Sequence, residues 1–220
     1  MKEAIHQITD IRSQKNKSRV NIFLDGDFAF GLDKEVALEH KLNEGEKLSE
    51  SQINKILYDE NKKKAKQKVL HFLNYRARSI KEIRDKLREK EIPGEIIDEV
   101  IEDFIRVGLL DDEKFGAAFV RTRMVKKKVS KRFLLRELKE KGFQEEKAQQ
   151  IIEESYGEES ENEVVTQLLR KKLGTGDLSH PSIKKKVTDF LHRRGFAWEL
   201  IWEVVNEEEG KSEARGQKSE

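Results

Sequence analysis

From Lys62 onward, apolar residues recur at helical spacing, and the whole pattern then repeats. LREKEIPGEIIDEVI begins at Leu87, LKEKGFQEEKAQQII at Leu138 and LHRRGFAWELIWEVV at Leu191, offsets of 51 and 53 residues. An apolar residue stands four places before each leucine (Ile83, Leu134, Val187) and five places after it (Ile92, Phe143, Phe196). An apolar pair closes each stretch: Val100-Ile101, Ile151-Ile152, Val204-Val205. Gly142 and Gly195 occupy equivalent positions suited to a left-handed helix stop; the first copy has Glu91 there, followed by Pro93, which suits the first turn of a helix. One further amphipathic segment precedes each stretch: KAKQKVLHFLNYR with Val69, Phe72 and Leu73, DEKFGAAFVRTRMV with Phe115, Phe119, Val120 and Met124, and ENEVVTQLLRKKL with Val164, Val165, Leu168 and Leu169. Each repeat is therefore expected to hold three helices, enough to close a small core where a helix pair is not. The expected fold is mainly α: tandem three-helix repeats stacked into an elongated curved rod, with a long surface and no deep pocket.

Residues 1–60 follow a different period. ITDIRSQ, RVNIFLDG and DFAFGL alternate as strands do, and Asp25-Gly26 tolerates the positive φ of a tight hairpin turn. The pattern predicts a three-stranded antiparallel sheet, with Ile22 and Leu24 on one face, Phe28 and Phe30 pairing across, and a second turn around Lys15–Ser18. Asp33 is expected to cap a short helix over 34–40, with Leu32 stapled against Ala37, and Ser49 to start another from Glu50 to about Glu60. The basic loop of Arg12, Lys15, Lys17 and Arg19 has two readings, phosphate contact or protection of the sheet edge, and the second is the stronger. The expected divisions are 1–60, 61–110, 111–157, 158–207 and a disordered tail at 208–220.

The residues able to do chemistry are few. GLLDDEKFGAAF (108–119) carries Asp111, Asp112 and Glu113 together. As a catalytic or metal site it needs partners that nothing nearby supplies; as punctuation it needs none. Gly108 can end one helix, Leu109 and Leu110 can bury, and Asp111 or Asp112 can cap the next, with Glu113 in its first turn. Gly108, Asp111 and Asp112 are thus read as a structural joint between the first and second repeats. His6, His40, His71, His180 and His192 form no HExxH pattern, no phosphate-binding glycine motif occurs, and Ser179-His180-Pro181 reads as a helix entry. No catalytic, metal or cofactor-binding residue is nominated. Trp198 and Trp202 fall on one helical face, where core packing is the stronger reading and a partner-binding anchor the weaker.

Composition adds three constraints. Charged residues make up 40% of the 220 positions, which suits helices with solvated outer faces, and two prolines agree. No cysteine is present, so disulfides and thiolate zinc sites are excluded. No apolar run reaches the length of a membrane span and the N-terminus lacks a signal-peptide core, so a cytoplasmic chain without membrane contact is expected. The net charge is only +2, yet the charges are sorted. Arg121 to Lys141 carries ten basic and two acidic residues, a balance of +8, while Glu145 to Glu163 carries eight glutamates and one lysine, a balance of −7. A salt-bridged helix surface is one reading; a positive face for phosphate or an acidic protein groove is the other, and recurrence along the repeats favours it.

GLLDDEKFGAAFVR, RSIKEIRDKLREKEI (78–92) and FLLRELKEKGF (133–143) together resemble the RecX family of bacterial recombination regulators. The family pattern is similar to "RS..EL...L" followed by "G.(I/L)DD..FA..(F/W)...R"; Ile83 stands for Leu and Gly116 for Ala, the latter expected to loosen its helix turn slightly. The resemblance covers about 62–207, and the N-terminal extension is similar to that of longer family members. It implies tandem three-helix repeats and no catalytic residues. It also implies a regulator that lies in the groove of the RecA–DNA filament or caps its growing end, opposing extension, strand exchange, ATP hydrolysis and repressor cleavage. The expected partners are the RecA filament and single- or double-stranded DNA, directly or through the filament, for a chain expected to be monomeric and to need no cofactor. Contact candidates are Arg76, Arg78, Arg84 and Arg88 in the first repeat, and Lys126, Lys127, Lys128, Lys131, Arg132 and Arg136 in the second. The third repeat adds Lys184, Lys185, Lys186, Arg193 and Arg194. Helical spacing would place Lys128, Arg132 and Arg136 on one face if their helix starts early enough. A module that binds DNA directly through the same surface is the alternative; with little aromatic interleaving in 121–141 beyond Phe133, it has little support for base stacking.

Overall fold

The computed structural model describes residues 4–157 and 159–216. They fall into two compact units, Met1–Arg78 with Ile83–Leu110, and Ser79–Glu82 with Asp111–Glu220. In the first unit, β1 (Ile5–Ser13), β2 (Arg19–Leu24) and β3 (Asp27–Asp33) lead into α1 (Lys34–Glu39), β4 (Lys47–Ser49), α2 (Glu50–Tyr75) and α4 (Gly94–Arg106), with most of α3 (Ile80–Arg88) between the last two. The sheet has four strands rather than three, in the order β3-β2-β1-β4, all antiparallel. The extra strand is only three residues long and pairs with Ile5–Gln7, too short for alternation to register.

The hairpin turns on Asp25 (φ 51°) and Gly26 (φ 100°), as the Asp-Gly pair dictates. Ile22 does face Phe30, but a register shift puts Phe28 opposite Phe23, where it lies 59% exposed with its ring edge-on, 5.9 Å from that partner. Ile8, Val20, Ile22 and Leu32 supply the buried face of the sheet, packed against Val36, Ala37 and Ile56. Asp33 caps α1 by accepting from the Glu35 N–H, and Ser49 and Gln52 form a capping box at the start of α2.

The helix expected to end near Glu60 runs on to Tyr75, because no glycine or proline interrupts it. Glu60 is a buried member of that helix, 2% exposed. Its carboxylate accepts from the Arg19 guanidinium at 2.9 Å and from the Asp33 N–H at 2.7 Å, so it ties α2 to the sheet. Arg19 is therefore a structural residue and not part of an exposed basic loop. Ile83 and Leu87 of α3 are buried, as are Ile96, Ile97, Val100, Ile101 and Phe104 of α4. Ile92, expected in the core, is only half-buried. Glu91 takes a left-handed φ of 56°, the conformation its glycine counterparts adopt without a side chain. Gly108 (φ 72°) follows α4; Leu110 is 2% exposed, whereas Leu109, also expected to bury, is 54% exposed.

The second unit contains α5 (Asp112–Lys127), α6 (Lys131–Glu140), α7 (Glu145–Ser155), α8 (Glu161–Leu173), α9 (Pro181–His192) and α10 (Trp198–Gly216). One hydrophobic cluster runs from Val120 through Leu134, Phe143 and Ile152 to Val165, Leu191 and Val204, so the second and third repeats share a core. The helix entries are capped in turn by Asp111, Ser130 and Ser160, and Pro181 starts α9. Asp111 accepts from the Lys114 N–H at 3.0 Å. Asp112 does something else: its Oδ1 accepts from the Ile80 N–H at 2.9 Å, at the start of α3. Lys141 reaches Glu82 at 2.9 Å in the same place. Gly116 has a packing role besides its effect on helix propensity. A Cβ there would lie 2.9 Å from the Ile151 Cδ1 and 3.0 Å from the Phe143 ring, so its absence lets α7 approach closely. The C-terminal segment is not disordered from 208 onward: α10 continues to Gly216, held at Glu208 by Arg170 and at Glu209 by Lys184, each at 2.8 Å. The remaining part of that expectation, 217–220, lies outside the described residues.

Candidate functional site

Among the described residues no group of His, Asp and Glu is arranged to hold a metal ion. The cations are the distinctive chemistry, and the fold sorts them. In the first unit Arg84 pairs with Asp98 and Arg88 lies 3.8 Å from Asp85. Arg78 donates to the Phe72 carbonyl, and Arg76 to that of Ala77. In the second unit, the acidic block that follows the basic run neutralises part of it. Lys128 binds Glu159 at 2.8 Å, Lys131 binds Glu153 at 2.6 Å and Lys139 binds Glu145 at 2.6 Å. Lys126, Lys127, Arg132, Arg136, Lys185, Lys186 and Arg193 have no carboxylate partner among the described residues, and all are exposed.

The expected single face of Lys128, Arg132 and Arg136 does not form. Lys128 ends α5 at φ 46°, and α6 starts only at Lys131 behind its Ser130 cap. Two concave surfaces form instead, both where the second and third repeats meet. The first, a cleft of about 510 Å³, is lined by Lys126, Lys127 and Lys128 of the second repeat and by Lys171, Lys172, Phe190 and Arg194 of the third. The Arg194 guanidinium lies 3.9 Å over the Phe190 ring and donates from Nε to the Lys127 carbonyl at 2.7 Å. Burial, with Arg193 adjoining, lowers its pKa. The second surface, about 370 Å³, is lined by Arg132, Phe133, Arg136, His192, Arg193 and Gly195.

A main-chain contact fixes this junction. The Ser130 N–H donates to the Arg194 carbonyl at 3.1 Å. Gly195 (φ 87°) sits so close to α6 that a Cβ would lie 2.7 Å from the Phe133 Cβ and from the Ser130 Oγ. Sequence reasoning missed Lys171, Lys172 and Phe190. The RKK triplet at 170–172 is a visible charge signal, but only the fold brings Lys171 and Lys172 into one cleft with Lys126 and Lys127, while Arg170 pairs with Glu208. It also misjudged the tryptophans: Trp198 is 38% and Trp202 42% exposed, stacked on each other and not in the core.

Comparison with known proteins finds four family-model matches along the chain. The RecX N-terminal domain matches residues 6–49, and the first, second and third RecX three-helix domains match 65–104, 111–152 and 159–205. The regulatory protein RecX of Bacillus pumilus is 33% identical over 201 residues, 91% of this chain and 76% of the relative. The chain belongs to the RecX family. The RecX of Listeria monocytogenes serovar 1/2a is 34% identical over 203 residues, 91% of this chain and 75% of its own. Two crystal structures are similar: a regulatory protein RecX, with a TM-score of 0.65 and 27% identity over 92% of this chain and 99% of that one, and the RecX of Lactobacillus salivarius, with 0.56 and 25% over 67% and 96%. These RecX relatives are named as regulatory proteins, and among the described residues here no helix is long and apolar enough to cross a membrane.

Proposed function

We propose that this chain is a cytoplasmic regulator of the RecA recombinase in DNA repair and the SOS response. It binds the RecA–DNA filament and mostly opposes its growth, strand exchange, ATP hydrolysis and coprotease activity, without catalysing a reaction of its own. The observation that carries this reading is the unbroken succession of four RecX domain matches along the chain. Charge supports it: cations that no described carboxylate neutralises gather where the second and third repeats meet, as an acidic, DNA-bearing groove requires. The contact residues are Lys126, Lys127, Arg132, Arg136 and Arg193 first, then Lys185 and Lys186. The arginines of the first repeat are secondary, because internal hydrogen bonds or ion pairs engage them. The test is RecA-driven strand exchange and ATPase on single-stranded DNA, with this protein added below stoichiometry. Inhibition is expected; no effect even at low salt refutes the reading.

A second reading, direct DNA binding, is favoured by the gathering of Lys126 and Lys127 with Lys171 and Lys172 in one cleft. It requires binding to naked DNA that persists at physiological salt. If binding to RecA filaments persists there while binding to naked DNA vanishes, DNA contact is secondary.

A further inference from the structure

The exposed rings of the third repeat form a ladder. The His192 and Trp198 rings stack with centroids 4.3 Å apart and planes 15° apart, and Trp198 and Trp202 follow at 6.4 Å and 23°. The Lys184 Nζ lies 5.4 Å from the Trp202 ring centroid, while also paired with Glu209. The stacking shields the faces between the rings, yet Trp198 remains 38% and Trp202 42% exposed, an aromatic surface larger than a scattered single side chain presents. His192 also lines the pocket of Arg132, Arg136 and Arg193, so the ladder and the arginine pocket are one continuous surface. Arg136 is stacked on Phe133 at 4.9 Å, and none of the three arginines has a carboxylate partner among the described residues.

A column of stacked aromatic rings beside unneutralised guanidinium groups suits one ligand chemistry: an unpaired nucleotide strand, whose bases can add to the end of the column or insert into it and whose phosphates pair with arginine. A duplex keeps its base faces covered and offers only the second half of that match. We propose that His192, Trp198 and Trp202, with Arg132, Arg136 and Arg193, form a binding site for a single-stranded nucleic acid. This goes beyond filament regulation and gives the direct-binding reading a specific ligand.

The chain's only two tryptophans are both in the ladder, so tryptophan emission, excited at wavelengths beyond tyrosine absorption, reports on this site alone. The full-length protein is titrated, without RecA, with a thymidine oligonucleotide of about 12 nucleotides, its uridine counterpart and the corresponding duplex. Single strands should quench the emission and duplex should not; the two sugars then show whether DNA or RNA is preferred. Trp198→Ala should weaken single-strand binding by about 10-fold while duplex binding is unchanged, and Trp198→Phe should retain most of it. Arg132→Ala with Arg136→Ala should weaken single-strand binding without abolishing the quenching at saturation. Binding by anisotropy with unchanged emission, or an equal loss on duplex from Trp198→Ala, overturns the proposal. So does an emission change produced by RecA filaments but not by single strands, which assigns the ladder to a protein partner. The wild-type quenching stands apart from any variant's folding. Because RecA is absent from the binding titrations, failure there leaves the regulator reading intact, and loss of RecA regulation leaves the ladder intact.

Discussion

At Gly195 two constraints coincide: a φ of 87° that a side chain resists, and a neighbour 2.7 Å from any Cβ. Gly195→Ala should therefore destabilise the second unit by about 3 kcal/mol, measured by urea unfolding. Glu91 offers the reverse test. It already holds a left-handed φ of 56°, so Glu91→Gly should raise stability by about 1 kcal/mol or less, once the extra freedom of the unfolded chain is counted. Asp112 is a third case. Burial, with Asp111 and Glu82 adding, raises its pKa against the opposing Ile80 N–H. A carboxyl whose folded pKa is raised favours the fold when protonated, and that contribution is lost as pH rises through the folded value. Asp112→Asn, which keeps an acceptor and removes the charge, should be neutral or stabilising at pH 7, with its advantage shrinking as pH falls toward the ordinary aspartate range. Asp112→Ala should cost about 1 kcal/mol by leaving the Ile80 N–H without its acceptor. Denaturant midpoints across pH decide both. The sequence placed two capping carboxylates here; that they cap different helices depends on a residue 32 positions away, which no local pattern encodes.

At the scale of elements, the period of the apolar positions was the reliable signal. Ile83, Leu134 and Val187 are all buried, as are Leu87, Leu138 and Leu191. Where polar residues take buried or docked positions, the signal fails. The helix expected to stop near Glu60 runs through it, and Glu60 is buried because the Arg19 guanidinium and the Asp33 N–H compensate the loss of water. Glu60→Ala should cost about 3 kcal/mol in thermal or urea unfolding, since it leaves both donors without their acceptor. Glu208 is the same error at the other end. Arg170 holds it with two hydrogen bonds of 2.8 Å, so a segment read as a tail is a docked helix, and chiefly through that contact the Glu208 pKa is lowered to about 2. A lowered carboxylate contributes stability above its ordinary pKa and loses it as pH falls toward 2. Glu208→Gln should lower stability by about 1 kcal/mol at pH 7, and the difference should vanish on acidification across that window. An unchanged pH profile would show that the pair contributes nothing.

At the scale of the molecule, repeat number and helical class were legible because the apolar stripes recur at a near-constant offset and must be buried, within a repeat or against the next one, while the binding surface was only half legible. Charge clustering nominated Lys126 and Arg132, but which cations stay unpaired depends on where the acidic block folds back, and the lysines at 171 and 172 that line the same cleft come from another repeat. If this surface binds phosphate, Lys126→Ala and Lys127→Ala should each flatten the salt dependence of DNA binding by about one unit of slope. Arg84→Ala, which removes a cation already paired, should change it far less. The Ser130–Arg194 hydrogen bond has a separate bearing on how the chain opens. That amide belongs to one repeat and its acceptor to the next, over a shared core. Native-state hydrogen exchange should therefore find the second and third repeats losing protection together, with the Ser130 amide exchanging at the rate of the slowest core positions of both.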